Sequence, residues 1–378
     1  MYFTLFTSST GATKIPKNLP YDELQELYKN KIGLILATRN EEEHVADTLL
    51  TLLNQSFKYF TIIVTDRSDD KTLVVCDKFY NDHKSQFLEK DISLILLPWD
   101  TSRTTAGKVG QIQYAIEVLD PSLEIVGYVD ADAEYSIDWL YCLAYGMSRG
   151  SDVVTSGIKL GKKEKVIDYM DNLDNQFSII SGQSALTVGI RGWMFGASVL
   201  YRRKAYEEIN GFEGIEHIIM DDFALSNKFF KHGKKINYFR DRRTIVSVLP
   251  HPNPINQKIR WASANWADSD KKSDLITLSI NLFPLLFYVA LIGCTLLTIF
   301  TGTPLTLTDP TFSGFLMIGL LMFFVDLSVV VYLFIVSRTN LIYIPFYMLW
   351  ISIIARPIVL YSFFQKKVVW KEEKMTAF

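Results

Sequence analysis

The segment IVGYVDADAE, residues 125–134, joins a short apolar run to two aspartates, Asp130 and Asp132. An apolar run of this length is typical of a strand buried on both faces of a sheet. Two carboxylates this close repel one another unless a cation lies between them, and oxygen ligands suit Mg²⁺ or Mn²⁺. A D-x-D pattern also occurs in ordinary acidic turns, so its position directly after a strand is what favours a metal site.

Similar apolar runs alternate with helix-like segments on the N-terminal side of residues 125–134. Strands are predicted at residues 32–37, 60–65, 92–97 and 125–129, and helices at residues 42–53, 72–80, 110–119 and 137–147. Alternation of this kind predicts an α/β domain whose Rossmann-like, mainly parallel sheet is covered by helices on both faces.

Polar side chains follow three of the predicted strands. Thr38 and Glu41 come after the first strand, Asp66 after the second, and Asp130 and Asp132 after the fourth. Ligands of such sheets bind outside the carboxyl ends of the strands. The sequence therefore predicts that these residues meet at one edge of the sheet, in a binding pocket.

Composition excludes several classes of protein. The chain has 378 residues, of which 49% are hydrophobic, and a disordered chain would have far fewer. A formal net charge of -2 gives no reason to expect nucleic acid as a partner. The three cysteines are scattered and form no CxxC pair, which excludes a disulfide framework and a cysteine zinc site.

The C-terminal third is strongly apolar. Residues 275–308 contain no charged residue, residues 311–337 contain only Asp326, and residues 341–364 contain only Arg356. About 20 apolar residues are enough for a helix to cross a bilayer. The alternative is a buried helical bundle in a soluble protein. We expect an N-terminal extension over residues 1–28, a soluble domain over 29–265, and an anchor of two or three transmembrane or re-entrant helices over 266–378.

Basic residues predict how this anchor is oriented. Lys271 and Lys272 precede the first apolar stretch, whereas the loop around residues 301–310 has no Lys or Arg. The excess of positive charge predicts that the soluble domain is cytoplasmic and that the chain is an integral membrane protein. Asp326 is costly inside a membrane. Arg356 is its candidate partner, either in a structural ion pair or at a substrate contact.

Eight short motifs, taken in their order along the chain, resemble those of family 2 glycosyltransferases of the GT-A fold over about residues 30 to 265. They are TRNEEE (38–43), TDRSDD (65–70), GKVG (107–110), DAD (130–132), FGAS (195–198), NGF (210–212), Asp221-Asp222, and QKIRW (257–261). The last of these resembles Q-x-x-R-W. Together with C-terminal spans, this motif is typical of the membrane branch, which includes cellulose, chitin and hyaluronan synthases and ceramide glucosyltransferases.

The resemblance implies a nucleotide-sugar donor and a GT-A domain followed by transmembrane helices. It assigns Thr38, Glu41 and Asp66 to the nucleoside. Arg67 replaces the second acidic residue of the family's D-D-G-S segment, which leaves Asp66 to make that contact alone. Asp130 and Asp132 would hold Mg²⁺ or Mn²⁺ on the diphosphate, with Asp132 as the more direct ligand.

The remaining assignments concern the reaction. Lys108 would neutralise charge on the departing diphosphate, and Asp222 would be the general base that takes the proton of the acceptor hydroxyl. Gln257 and Arg260 would contact the diphosphate, because the planar guanidinium of Arg binds two oxygens at once. Trp261 would stack on the acceptor or close the site.

Three functions are consistent with this set of motifs. The first is an inverting transferase that adds one sugar to a lipid or lipid-linked acceptor at the cytoplasmic face of a membrane. The second is a processive polysaccharide synthase with a glycan acceptor. The third is a membrane-anchored nucleotide-binding module without activity, for which the substitution at Arg67 is the only hint.

Overall fold

The computed structural model describes residues 14–103, 105, 107–161, 163–187, 194–215, 220–267, 271–301, 310–337, 340–364, 367–370 and 373–376. Contacts divide the chain into two compact units, Met1–His251 and Pro252–Phe378. The predicted N-terminal extension lies outside the described residues as far as residue 13, as does most of the predicted loop around residues 301–310. The predicted boundaries after residues 28 and 265 stay predictions.

Ten strands are described in the first unit. They are β1 (Ile32–Thr38), β2 (Thr61–Asp66), β3 (Ser93–Pro98), β4 (Ile125–Val129), β5 (Ala133–Glu134), β6 (Val153–Thr155), β7 (Ile158–Leu160), β8 (Val199–Arg202), β9 (Ile236–Tyr238) and β10 (Val246–Val248).

Nine helices are described in the same unit. They are α1 (Tyr21–Tyr28), α2 (Val45–Leu53), α3 (Thr72–Asp82), α4 (Lys84–Lys90), α5 (Gly107–Val118), α6 (Trp139–Ser148), α7 (Val166–Thr187), α8 (Arg203–Glu208) and α9 (Asp221–Lys231).

Seven of these strands form one sheet in the order β3-β2-β1-β4-β8-β6-β9. Strands β1 to β4 run parallel to one another, and β6 and β9 are also a parallel pair. Strand β8 runs antiparallel to both of its neighbours, β4 and β6. The prediction of an α/β domain with a mainly parallel sheet is confirmed.

The core of this sheet explains why short apolar runs became strands. Leu34, Ile35 and Leu36 are fully buried on β1, and Ile63 and Tyr128 are fully buried on the two strands beside it. Burying one such side chain contributes about 1.5–3 kcal/mol. A strand with helices on both faces buries every residue, and this is why β1 and β4 carry no alternation of polar and apolar residues.

Two local features differ from the sequence prediction. Helix α2 begins at Val45 rather than at residue 42. The amide of Glu41 donates to Thr72 Oγ1 and that of Glu42 donates to Asp70 Oδ2, so these two residues belong to the loop. The reversed strand β8 was not predicted. It packs closely on β4, since a Cβ at Gly127 would lie 2.5 Å from the carbonyl oxygen of Val199.

The second unit consists mainly of helices. They are α10 (Pro254–Ala267), α11 (Lys271–Thr301), α12 (Pro310–Ser337), α13 (Ile344–Trp350) and α14 (Arg356–Ser362), with a 3₁₀ turn at Leu341–Tyr343, a π-helical turn at Ile351–Ala355, and strands β11 (Lys367–Trp370) and β12 (Glu373–Thr376). Pro357 lacks a backbone N–H and lies in the first turn of α14, two residues after the end of the π-helical turn.

Two stretches of this unit have the length and apolar composition needed to cross a membrane. They are Asn281–Phe300 and Leu341–Ser362, while Leu316–Tyr332 is apolar but shorter. Core helices of soluble proteins meet the same criterion, so membrane anchoring stays a prediction.

A buried ion pair joins two helices of the second unit. Arg356 Nη2 on α14 donates to Asp326 Oδ1 on α12 across 2.6 Å, and the two side chains are 4% and 7% exposed. The hydroxyl of Tyr288 on α11 donates to the other carboxylate oxygen at 3.4 Å. Arg356 is thus the partner of Asp326, and side chains of three helices meet at this contact.

We expect Asp326→Ala to destabilise the chain by about 3–5 kcal/mol, because it removes the carboxylate that balances a buried guanidinium. The double substitution Asp326→Leu with Arg356→Met is expected to recover most of that loss, since it removes both charges. Thermal unfolding of the full chain in detergent measures both effects. Equal losses in the single and double variants would show that packing, rather than charge, matters at this contact.

Candidate active site

Thr38 and Asp66 lie at the carboxyl ends of β1 and β2, where they are direct neighbours in the sheet. The hydroxyl of Thr38 donates to Asp66 Oδ1 at 2.6 Å, and that of Ser68 donates to the same oxygen at 2.6 Å. Both Thr38 and Asp66 are buried. From α5, Gln111 Nε2 donates to the carbonyl oxygens of Thr38 and Thr65 at 2.8 and 2.7 Å. These bonds hold the ends of two strands together.

The loops after β1 and β2 also bind one another. The amide of Asn40 donates to Ser68 Oγ at 2.8 Å, and the amide of Asp69 donates to Asn40 Oδ1 at 2.9 Å. Together with the bond from the Glu41 amide to Thr72, these contacts fix the backbone of Glu41. The carboxylate of Glu41 is close enough to Asp132 to act on its pKa. The structure therefore brings together Glu41 and Asp132, which lie 91 positions apart in the sequence.

Asp130 and Asp132 belong to the turn between β4 and β5. The hydroxyl of Thr48 on α2 donates to the carbonyl oxygen of Ala131 at 2.7 Å, which anchors the turn. Lys108, in the first turn of α5, places its Nζ 2.6 Å from Asp130 Oδ1. The same Nζ lies 5.6 Å from the centre of the Tyr128 ring. Asp130 thus has an internal cation as its partner, while Asp132 is exposed to solvent.

Charge in this turn favours a cation. Crowding by surrounding protein atoms and then the charges of Asp130 and Glu41 raise the pKa of Asp132 to about 6. The negative charge is therefore only partly balanced by Lys108. Within the described residues, no group of three His, Cys, Asp or Glu side chains could hold a metal ion by itself. Two carboxylates suit Mg²⁺ or Mn²⁺ when substrate phosphates supply the remaining oxygen ligands, and the residues present fit this arrangement.

Asp221 and Asp222 begin helix α9, where the helix dipole favours negative charge. Asp222 Oδ2 accepts the N–H of Gly196 at 2.9 Å, and Oδ1 accepts the N–H of Phe223 at 2.8 Å. Burial and the charge of Asp221 raise the pKa of Asp222 to about 7, although the Gly196 amide and Lys108 oppose the shift. A carboxylate with this pKa can accept a proton near neutral pH.

Lys108 connects the two acidic groups. Burial lowers its pKa, but Asp130, Asp221 and Asp222 together raise it above the usual value, so its ammonium group stays charged. All three carboxylates act on the same Nζ. The structure therefore brings Asp222 and Asp130 to the two sides of one lysine, whereas their predicted roles in binding and catalysis stay predictions.

Gln257, Arg260 and Trp261 lie together on α10, which belongs to the second unit. The geometry of the first unit does not test their predicted contacts with the donor and acceptor, so these roles stay predictions.

Sequence reasoning missed three residues of the pocket. Gln111 and Ser68 make bonds that no family motif assigns, and Gly196 contributes a backbone amide. Ser68 lies inside the TDRSDD segment and Gly196 inside the FGAS segment, but neither segment indicated these bonds, and Gln111 lies in no quoted motif.

Two family models match the chain. Residues 34–210 match the model described as Glycosyl transferase family 2, and residues 125–361 match Glycosyl transferase family group 2. The second match covers more than half of the 378 residues. The chain is a family 2 glycosyltransferase. It is thus an enzyme, and its pocket is the candidate active site.

Curated relatives of this glycosyltransferase include two poly-β-1,6-N-acetyl-D-glucosamine synthases of Staphylococcus epidermidis. Each is 23% identical to it, over 268 and 241 residues. The matches cover 68% and 61% of this chain but only 60% and 53% of the relatives. The glycosyltransferase therefore spans little more than half the length of these relatives.

One solved structure is similar to this glycosyltransferase over most of the length of both chains. The mannosyltransferase PcManGT of Pyrobaculum calidifontis, in complex with GDP-Man and Mn²⁺, has a TM-score of 0.58 and 16% sequence identity. The similarity covers 96% of this chain and 92% of that one. At this identity the likeness shows the GT-A fold alone.

Proposed function

We propose that this glycosyltransferase moves a sugar from a nucleotide sugar to a lipid or lipid-linked acceptor at the cytoplasmic face of a membrane, with inversion at the anomeric carbon. The observation that carries the proposal is the position of Lys108, between the D-x-D carboxylates and Asp222. A cation in this position would balance the charge of a diphosphate bound next to a base of suitable pKa.

Two groups of residues would hold the donor, one at its nucleoside and one at its diphosphate. Thr38, Glu41 and Asp66 would bind the nucleoside, while Asp130 and Asp132 would hold Mg²⁺ or Mn²⁺ against the diphosphate. The bound metal supplies positive charge to the oxygens of the leaving group. PcManGT, which shares the fold, was solved with GDP-Man and Mn²⁺, and this is in keeping with a nucleotide-sugar donor and a divalent cation.

Asp222 would act on the acceptor. Its carboxylate would take the proton of the acceptor hydroxyl as that oxygen bonds to the anomeric carbon. The bond from this carbon to the diphosphate breaks, and its electron pair leaves with the diphosphate. Lys108 would stabilise the developing charge on the diphosphate. Arg260, Gln257 and Trp261 are proposed to complete the site through the Q-x-x-R-W motif of the membrane branch.

The membrane part of the proposal is supported by two apolar helical stretches and by Lys271 and Lys272 ahead of the first of them. A bilayer beside the active site would bring a lipid acceptor to the pocket. The anchor proposed over residues 266–378 would then hold the domain proposed over residues 29–265 at the cytoplasmic face.

A processive polysaccharide synthase is the second candidate, because both curated relatives are named as polysaccharide synthases. A non-catalytic module is disfavoured by membership of an enzyme family and by the retained acidic residues of the pocket.

One experiment separates these functions. Purified full-length protein is incubated with labelled nucleotide sugars and membrane lipids, with and without Mn²⁺, and the product is extracted into organic solvent. We expect label in the lipid fraction, dependent on the metal, with one sugar on each acceptor. Long products of varied length would support the synthase instead, and the absence of both transfer and donor hydrolysis would support the module.

The activity is expected to rise with pH through about 7. Asp222 must be ionised to accept a proton, and burial together with Asp221 raises its pKa to about 7. Below that value kcat/KM should fall about tenfold per pH unit, since each unit removes nine tenths of the ionised base. Asp221→Asn removes one cause of the raised pKa of Asp222. It should therefore move the acid limb of the pH profile, the fall of kcat/KM below pH 7, to lower pH. A limb that does not move in Asp221→Asn would contradict the assignment.

A further inference from the structure

The segment Phe195–Ser198 contacts the proposed base from a distant part of the sequence. Gly196 N donates to Asp222 Oδ2 across 2.9 Å, and the two residues are 26 positions apart. The other amide on this carboxylate is that of Phe223, the residue next to Asp222, and it moves with the helix. The hydrogen bond from Gly196 therefore fixes the position of the Asp222 carboxylate relative to the turn that leads into strand β8 of the sheet.

A buried hydroxyl holds this segment in place. Thr155 Oγ1, at the end of β6, accepts the N–H of Phe195 at 3.2 Å and donates to the carbonyl oxygen of Ser198 at 3.0 Å. The amide of Ser198 donates to the carbonyl of Phe195 at 2.9 Å, which closes the turn. Thr155 and Ser198 are fully buried, so water cannot replace these bonds.

The side chain of Ser198 ties the turn to two more elements. Trp139 Nε1, on α6, donates to Ser198 Oγ at 2.9 Å, and this hydroxyl donates to the carbonyl oxygen of Thr244 at 3.1 Å. Both ends of the turn are thus bonded to buried groups on either side. The Gly196 amide has little freedom to follow Asp222 if the carboxylate moves.

Residue 196 has no room for a side chain. A Cβ there would lie 2.9 Å from Tyr128 Cε2 and 3.5 Å from Asp222 Oδ2. Tyr128 is fully buried on β4 and packs against Tyr201 at 6.2 Å between ring centres. The tyrosine ring therefore cannot move aside easily, and the short contact between the turn and the carboxylate requires glycine.

We propose that Thr155 and Ser198 are positioning residues for the transfer reaction: through the turn Phe195–Ser198 they hold the Gly196 amide on one oxygen of Asp222 and leave the carboxylate in one orientation toward the acceptor. This inference rests on the proposed role of Asp222 as the base. It gives the FGAS segment, which carries no assigned role in the sequence analysis, a role on the enzyme's own base.

The hydrogen bond from the Gly196 amide also favours the ionised form of Asp222. The other groups that act on this carboxylate are Asp221 and the Phe223 amide on its own helix, Lys108 on α5, Tyr128 on β4 and Tyr238 on β9. Lys108, Tyr128 and Tyr238 belong to other elements, and of these Tyr128 packs against Gly196. A change confined to the turn should therefore alter the pH profile chiefly through the Gly196 amide, which bonds the carboxylate directly.

The test compares Thr155→Val with Thr155→Ser in the full-length enzyme. Valine keeps the shape of threonine without the hydroxyl, whereas serine keeps the hydroxyl without the methyl group. We expect Thr155→Val to lower kcat about 100-fold, as misplaced catalytic groups do, and to move the acid limb of the pH profile upward. The KM for the nucleotide sugar should not change, and Thr155→Ser should keep the wild-type profile.

Ser198→Ala is the second variant, because Thr155→Val could fail to fold. It removes the links to Trp139 and Thr244 but leaves the main-chain bonds of the turn, so the same upward shift is expected with a smaller loss of kcat. Wild-type kcat and pH profile in a folded Thr155→Val or Ser198→Ala variant, while Asp222→Asn is inactive, would overturn the positioning role alone. Full turnover in Asp222→Asn would overturn the proposed base itself.

Discussion

Replacing Asp222 by asparagine is expected to abolish sugar transfer while donor binding is retained. Asparagine has nearly the same shape as aspartate. Its side-chain oxygen can still accept one of the two hydrogen bonds that the backbone amides of Gly196 and Phe223 donate. It cannot take a proton, and a general base contributes about 10²–10⁴-fold to the rate. Transfer of labelled sugar measures the loss, and calorimetry with a nucleoside diphosphate and Mn²⁺ measures donor binding.

Asp221→Asn is the matched control for this experiment. It makes the same change of charge in the same helical turn, but the neighbouring base remains, so turnover should persist at pH above 7. Normal turnover in Asp222→Asn, or equal inactivity of the two variants, would remove Asp222 from its proposed role.

The double substitution Asp130→Ala with Asp132→Ala should remove both activity and the response to added metal. The loss is expected to be about 10³-fold or more, because a bound cation contributes several kcal/mol of charge stabilisation to the transition state. Binding of Mn²⁺ in the presence of a nucleoside diphosphate, followed by electron paramagnetic resonance, should be lost in parallel. This second readout does not depend on turnover.

Glu134→Ala is the control for the loss of an acidic group near this turn. Glu134 is exposed on β5, two residues after Asp132, and is assigned no contact with the donor. The variant should bind Mn²⁺ and transfer sugar as the wild type does. Metal-dependent activity in the double variant would show that the D-x-D turn is an ordinary acidic turn.

The strands β1 to β4 could be predicted from the sequence because each is an apolar run long enough to be buried on both faces. Strand β8 could not be predicted in the same way. Its four residues carry no pattern that reveals direction, and its antiparallel pairing depends on the close approach that Gly127 permits. Strands of two or three residues, such as β5 and β10, are too short to show any period.

The parts of the candidate site that consist of side chains could be predicted from the sequence, whereas contacts made by the backbone could not. Asp66 is the last residue of β2, and Asp130 and Asp132 follow β4; both strands end at one edge, so the topology predicts that these residues lie near one another. The contact of Gly196 with Asp222 is made by a backbone amide, which every residue except proline has, and it leaves no signature in the sequence. The direct ion pair of Lys108 with Asp130 also required the structure, because the family resemblance places both residues at the diphosphate without pairing them with each other.

The reversed direction of β8 has a practical consequence for labelling this enzyme. Because β8 runs against β4, the residues before β8 and those after β4 share the pocket side of the sheet. The other ends of both strands meet about 15 Å away, the length of a five-residue strand, where the amide of Arg203 donates to the carbonyl of Glu124. The nearby loop at residues 120–122 is exposed. A fluorophore attached there would move together with the sheet. It would therefore report on rotation of the domain without entering the candidate active site.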